Sequence, residues 1–213
     1  MDTYKETFET WDKLAKLYQD KFMDLDLYDD SYDLFCECVI KINPSILEIG
    51  CGPGNITKYL LNKRPDFNIE AIDISPNMIA LAKINNPTAN FKLMDIRNIN
   101  QLKTKFDAII CGFCLPYISK LDCSKLINNL NSLLTEHGVI YLSFVEGDNT
   151  KSAYQIGSSG DRIYFYYHSL DYLQSDLQEN KFEIIKVFHK EYEKNDKTSE
   201  IHSIILAEKY NNS

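Results

Sequence analysis

Leu47-Glu48-Ile49-Gly50-Cys51-Gly52-Pro53-Gly54-Asn55 is the stretch on which the reading of this chain turns. The apolar segment Ser45–Ile49 leads into it, and a helical pattern over Asn55–Asn62 leads out, so it reads as strand, tight loop and helix. Gly50 and Gly52 let the backbone approach a ligand where a Cβ would collide. Pro53 stiffens the turn. A loop of this kind at the carboxyl end of a strand suits a nucleoside or its polar tail.

Spacing narrows the ligand. A dinucleotide fingerprint needs G-x-G-x-x-G, with a pyrophosphate over the helix N-terminus. Here the third glycine comes one residue early, and Asn55 stands where the fingerprint has glycine, which speaks against a nicotinamide oxidoreductase. Glu48 precedes the first glycine by two. A carboxylate there opposes a pyrophosphate but suits a ligand with an ammonium group. The run E-x-G-x-G-x-G resembles the first motif of the class I S-adenosylmethionine-dependent methyltransferases of small-molecule type. Their cofactor carries an ammonium and a sulfonium but no phosphate.

The rest of the chain is compatible with that resemblance, which spans roughly Asn43 to Glu208. Strands are expected at Asn68–Ile72, Asn90–Leu93, Phe106–Cys111 and Val139–Phe144. Helices are expected over 8–23, 31–42, from Ser75-Pro76 to about Ile84, over Cys123–Leu134 and over Ser169–Asn180. The Glu136-His137-Gly138 turn ends the helix over Cys123–Leu134. Phe182–His189 and Ile201–Glu208 alternate as a closing antiparallel pair. Strands alternating with helices give an α/β, doubly wound, Rossmann-like fold. The resemblance implies a seven-stranded, mostly parallel sheet with the last strand antiparallel.

Residues 1–213 read as a single domain. It has an N-terminal helical cap (1–43), a cofactor-binding core (44–145), a substrate-side insertion over the active site (146–168), and a closing helix and hairpin (169–213). The insertion breaks the rhythm of strand and helix and ends in the aromatic run Ile163-Tyr164-Phe165-Tyr166-Tyr167-His168.

Asp73 closes the second strand, 23 residues after Gly50, where its carboxylate can accept from both ribose hydroxyls. Ile74 and Met78 follow on the same turn and would pack the adenine faces. By position, the resemblance gives Asp95 the adenine amino group and the Ile96 N–H a ring nitrogen. It brings the backbone around Cys111 and Gly112 to the ammonium group. It also matches Trp11-Asp12-Lys13-Leu14-Ala15-Lys16-Leu17-Tyr18 to a segment whose tyrosine, here Tyr18, closes over the site. Glu48, Gly50, Cys51, Gly52 and Asn55 complete the cofactor set. Tyr117, Tyr167 and His168 are the substrate-side candidates. His168 is the candidate general base, since an imidazole titrates near neutrality; His137 and His202 read as turn and surface residues.

Two absences point to a small-molecule acceptor. The N/D-P-P-Y/F run of nucleic-acid amino-methyltransferases is reduced to Pro116-Tyr117, and the Pro-Cys dipeptide of RNA cytosine-C5 enzymes is missing. A net charge of −8 argues against a nucleic-acid surface, which needs a basic stripe. A protein or RNA methyltransferase, or a non-catalytic binder of the cofactor, is the alternative. The six cysteines show no paired zinc spacing and read as thiols of a reducing cytoplasm, so no metal is expected. The polar, acidic start is unlike a signal or transit peptide, and no apolar run approaches ~18 residues, so no membrane partner is expected. A monomer or homodimer is expected. S-adenosylhomocysteine would be the product.

Overall fold

The computed structural model describes residues 3–157, 160–194 and 197–210; parts of the expected insertion (158–159) and of the closing segment (195–196 and 211–213) lie outside the described residues. In chain order the strands are β1 (Ser45–Ile49), β2 (Asn68–Asp73), β3 (Asn90–Leu93), β4 (Phe106–Cys111), β5 (Leu134–Val145), β6 (Ala153–Ile156), β7 (Arg162–Phe165), β8 (Phe182–Glu193) and β9 (Ser199–Lys209). The helices are α1 (Thr3–Lys13), α2 (Ala15–Phe22), α3 (Asp29–Cys38), α4 (Asn55–Lys63), α5 (Pro76–Asn85), α6 (Lys120–Leu133) and α7 (Leu170–Glu179).

Seven strands form one sheet in the order β3-β2-β1-β4-β5-β9-β8. Strands β1 to β5 are mutually parallel, while β9 runs antiparallel between β5 and β8. A central parallel strand is covered on both faces and must be apolar throughout. In β4, Ala108, Ile109, Ile110 and Cys111 are all fully buried. Alternation in β1 sends Leu47 and Ile49 to the core beneath α6 and α7, and Ile46 to the core beneath α3 and α4. Glu48 shares the face of Ile46 and meets Thr57 of α4. The strand order reverses between β1 and β4, so the glycine loop stands at the switch point where open α/β sheets bind ligands.

Four segments differ from the sequence reading. The first helix is kinked at Leu14 (φ −92°, ψ 9°), splitting it into α1 and α2. Helix α3 stops at Cys38, because the Arg64 guanidinium takes the free carbonyls of Cys36 and Val39 at 3.1 and 2.8 Å and the chain then extends toward Pro44. The expected turn at 136–138 is a bulge inside β5. Leu134 pairs with Phe106 and Val139 with Ala108, so the intervening residues bow out of the ladder, with His137 at φ +59°. The aromatic insertion folds as an antiparallel hairpin of β6 and β7 outside the main sheet. No described helix is long and apolar enough to cross a membrane.

Candidate functional site

The loop after β1 folds back on the tip of β2. Gly50 N–H and Cys51 N–H both donate to the Ile72 carbonyl, at 2.7 and 3.0 Å. Gly50 has φ +66°, and a Cβ there would lie 1.7 Å from Cys114 Sγ, so conformation and space both demand glycine. Asp73 joins the loop to the next helix. One carboxylate oxygen accepts from Gly52 N–H and the other from Ser75 N–H, both at 2.8 Å. Burial pushes the Asp73 pKa up, and these backbone donors oppose the shift. Ser75 caps α5 as the sequence predicts, its hydroxyl accepting from Met78 N–H at 3.0 Å.

A cleft with an empty volume of about 730 Å³, open solvent at its mouth included, opens over this loop. Its floor is Gly50, Ile72, Asp73 and Ile74, and Met78, Met94, Asp95 and Ile96 form one wall. Gly112, Phe113, Cys114 and Tyr117 form the other. Phe8, Trp11 and Tyr18 of α1 and α2 roof it.

The roof is fastened at both ends. On the core side Asp12 accepts from Asn77 N–H at 2.9 Å and from the Ser75 hydroxyl at 2.6 Å, so it too caps α5. On the hairpin side the Thr10 hydroxyl donates to the Arg162 carbonyl and Tyr164 N–H donates to the Thr7 hydroxyl, both at 2.9 Å. A Glu6–Arg162 ion pair flanks them. Between these fastenings the Trp11 ring meets Tyr18 and Tyr117 edge-on, each at 5.4 Å. The Trp11 indole N–H is buried with no hydrogen-bond partner among the described residues.

Of the residues singled out from sequence, Tyr18, Gly50, Asp73, Ile74, Met78, Asp95, Ile96 and Tyr117 line the cleft. Glu48, Cys51, Gly52, Asn55, Cys111, Tyr167 and His168 do not. Gly52 lies just behind the lining, a Cβ there falling 3.6 Å from the Tyr18 ring. Cys51 and Cys111 are buried in the core. Asn55 opens α4 and faces a separate recess beside Lys58 and Tyr59. Glu48 is fully buried, with one oxygen accepting from the Thr57 hydroxyl and the other unpartnered. Burial pushes its pKa up to about 8, against the pull of the Thr57 bond. Asp95 is held by its neighbour: Arg97 N–H and Nε donate to it at 2.9 Å, and the guanidinium stacks 4.3 Å from the Tyr4 ring.

His168 is buried beneath the aromatic hairpin. Its Nε2 lies 2.9 Å from the Leu115 carbonyl, an obligate acceptor, so Nε2 carries the proton. Its Nδ1 has no partner among the described residues, and burial pushes the pKa down. Tyr167 directs its hydroxyl to Glu200 at 3.3 Å. His202, read as a surface residue, is buried. Its Nδ1 is 2.6 Å from the Tyr28 hydroxyl, its ring stacks on Tyr192 at 4.8 Å, and burial lowers its pKa to about 4. Phe8, Trp11, Met94, Phe113, Cys114 and Ile118 line the cleft without having been assigned a site role. Trp11 had a readable signal, since it lies two helical turns from Tyr18 on one face. Phe113 had none, because its place depends on a left-handed backbone (φ +54°) that a phenylalanine rarely adopts.

Apart from the carboxylates Asp73 and Asp95, the cleft's own side chains offer no base at neutral pH. Burial raises the Tyr18 and Tyr117 phenols. The Cys114 thiol is raised by its hydrogen bond with Cys111 and by burial, and it donates to the Ile49 carbonyl at 3.2 Å. Among the described residues no cluster of His, Cys, Asp and Glu could hold a metal ion.

Comparison with known proteins agrees with this architecture. A family model described as a methyltransferase domain matches residues 46–138. A malonyl-[acyl-carrier protein] O-methyltransferase of Acetivibrio thermocellus is 36% identical over 105 residues, 48% of this chain and 36% of that protein. A tRNA N(3)-methylcytidine methyltransferase of Schizosaccharomyces pombe is 28% identical over 167 residues, 74% of this chain and 66% of that protein. The chain thus spans well under half the length of the first curated relatives it matches, at 36–42%. The solved magnesium protoporphyrin IX methyltransferase of Synechocystis PCC 6803 superposes with a TM-score of 0.69 at 19% identity, covering 98% of each chain, which shows a shared fold. The strand order and the glycine loop at its reversal agree with the match of residues 46–138 to a methyltransferase domain, and the sheet is the Rossmann-like fold of the solved methyltransferase.

Proposed function

We propose that this protein is an S-adenosylmethionine-dependent methyltransferase that methylates an oxygen or nitrogen of a small molecule and releases S-adenosylhomocysteine. The observation that carries the reading is the Asp73 carboxylate, tied to the glycine loop and facing a cleft of about 730 Å³ at the sheet's switch point. A Cβ at Gly50 would strike Cys114, so the loop's shape is specific, and no phosphate-binding cation lines the cleft among the described residues. Both features fit a nucleoside with a cationic tail better than a pyrophosphate.

When bound, S-adenosylmethionine supplies an already activated methyl group on a sulfonium. The chain's residues then have positioning work to do. Each Asp73 oxygen accepts one backbone bond and keeps further acceptor capacity for the ribose hydroxyls. Ile74, Met78 and Ile96 supply apolar contact for the adenine, and Asp95 an acceptor beside it. The Gly112 segment flanks the methionine end. Tyr18 and Trp11 roof the cleft and exclude water. On this reading 1–213 acts as one unit, with the hairpin at 146–168 reaching the cleft through its grip on α1. His168 then serves as a buried strut beneath the Leu115 turn.

An RNA acceptor is the second reading, because one relative with a long match is named for tRNA. A net charge of −8 counts against it, since phosphate contacts dominate nucleic-acid affinity. The test is release of S-adenosylhomocysteine from S-adenosylmethionine with a metabolite panel and with transfer RNA. Turnover with a metabolite is expected. Turnover with transfer RNA alone replaces the first reading by the second, and no turnover with either rejects the proposed activity.

A further inference from the structure

We propose, resting on the methyl-transfer reading above, that the methyl acceptor carries a carboxylate and that the Trp11 indole N–H and the Tyr18 and Tyr117 hydroxyls hold it. What leads there is a set of polar groups with nothing to bond. All three side chains line the cleft. The Trp11 N–H is buried without a hydrogen-bond partner, and neither tyrosine hydroxyl has one among the described residues. The Trp11 ring meets both tyrosine rings edge-on at 5.4 Å, one on the roof and one on the wall. Away from the cleft the same fold pairs its phenols closely. Tyr4 bonds Asp122, Tyr28 bonds His202 and Tyr59 bonds Asp33, each at 2.6 Å. Unpaired buried donors are rare in native folds, and a set of them around a cleft points to a ligand that completes them.

The chemistry of the set selects that ligand. An indole N–H donates and never accepts, while a phenol does either. An ammonium group has only donors, so it leaves Trp11 unpaired. A neutral carbonyl oxygen has two lone pairs, fewer than the donors present. A carboxylate offers about four acceptor sites and takes them all. Burial raises both phenols, so at neutral pH each keeps its proton and donates it.

The carboxylate's charge is met by the cofactor. No Lys, Arg or His lines the cleft among the described residues, so the cations in the loaded cleft are those that S-adenosylmethionine brings. Asp95 is already paired with Arg97, and Asp73 holds two backbone N–H groups, which blunts their repulsion of an incoming anion. A carboxylate beside the sulfonium gains an opposite charge at short range. The acceptor therefore binds best once the cofactor is in place.

Trp11 is its own reporter, because it is the only tryptophan of the chain. Isotope-labelled protein gives one indole N–H resonance. The protein is loaded with S-adenosylhomocysteine, or with sinefungin, whose ammonium stands in place of the sulfonium and transfers no methyl. The sinefungin complex is titrated by calorimetry and followed at that resonance with 3-phenylpropanoate, hexanoate and benzoate, each beside its amide and its matched amine. At least one carboxylate is expected to bind at least about tenfold more tightly than its counterparts and to move the indole N–H downfield. Tyr117→Phe is expected to weaken that carboxylate about fivefold or more. No carboxylate preferred over its counterparts, or binding that leaves the indole resonance in place, overturns the proposal while the cofactor reading stands. A full downfield shift with S-adenosylhomocysteine alone, unaltered by carboxylates, gives the donors to the cofactor's own carboxylate and overturns the proposal as well. Failure of S-adenosylhomocysteine itself to bind removes the methyl-transfer reading, and the carboxylate proposal with it.

Discussion

The two sides of the cleft are built by different means. The floor is local. Gly50, Gly52, Asp73 and Ser75 lie within 26 residues of chain; Gly52 and Ser75 donate to the Asp73 carboxylate and Gly50 to the Ile72 carbonyl beside it. The roof is remote. Trp11 and Tyr18 are set in place because α1 is pinned to the hairpin about 150 residues later, through Thr7, Thr10 and Glu6. A floor made of backbone geometry tolerates almost no side-chain change. A roof made of scattered hydrogen bonds and ring edges spreads its energy and tolerates more. The floor thus suits the invariant part of a ligand, and the roof the part that varies between substrates.

That contrast is breakable, starting from the floor. The largest effect is expected at Glu48, buried behind the floor in the strand that leads into the glycine loop. Its carboxyl is raised from 4.5 to about 8 by burial, so across that window the folded protein keeps a proton that the unfolded chain releases. Its contribution is full below about pH 4.5 and is lost as pH rises to about 8, a loss on the order of 4 kcal/mol. Glu48→Gln should flatten the fall in denaturant midpoint between pH 5 and 8; an unchanged slope would mean that Glu48 is charged in the folded protein. Next is Gly50→Ala, which adds a Cβ against Cys114 at a positive φ. It should cost about 2–4 kcal/mol in urea unfolding and abolish nucleoside binding. Full stability in this variant would show that the loop is looser than drawn.

Asp73→Ala should weaken S-adenosylmethionine binding by about 1–3 kcal/mol, the scale of charge-assisted hydrogen bonds. Unchanged affinity would move the ribose elsewhere. The roof should respond least. Trp11→Phe keeps a ring against Tyr18 and Tyr117 but removes the unpartnered N–H together with part of the indole's bulk. It should lower stability and weaken ligand or acceptor binding by about 1 kcal/mol each. A loss as large as that of Asp73→Ala would make the roof a primary determinant and erase the contrast.

The same division decided what could be read from the sequence. The strands of the parallel sheet, the glycine turn and the Ser75 cap obey short-range rules, so Ser45–Ile49, Asn68–Ile72 and Phe106–Cys111 were legible from apolar runs and punctuation, the second extending one residue further, to Asp73, in the structure. The sheet's antiparallel strand was reached through the resemblance. The bulge at 136–138 was not legible, because Glu-His-Gly serves a turn and a bulge equally and only the register against β4 separates them. His202 alternates as a strand residue with either face open to view. Its burial follows from Tyr28 and Tyr192, which come from α3's approach and from β8. The aromatic run 163–166 announced apolar faces but not that α1 would be their partner.

The most direct test of the account is isothermal titration of the purified protein with S-adenosylmethionine, S-adenosylhomocysteine and NADH, alongside Asp73→Ala. The account predicts saturable binding of both sulfur ligands, none of NADH, and a weakened pair of affinities in the variant. Binding of NADH, or of neither sulfur ligand, would contradict it.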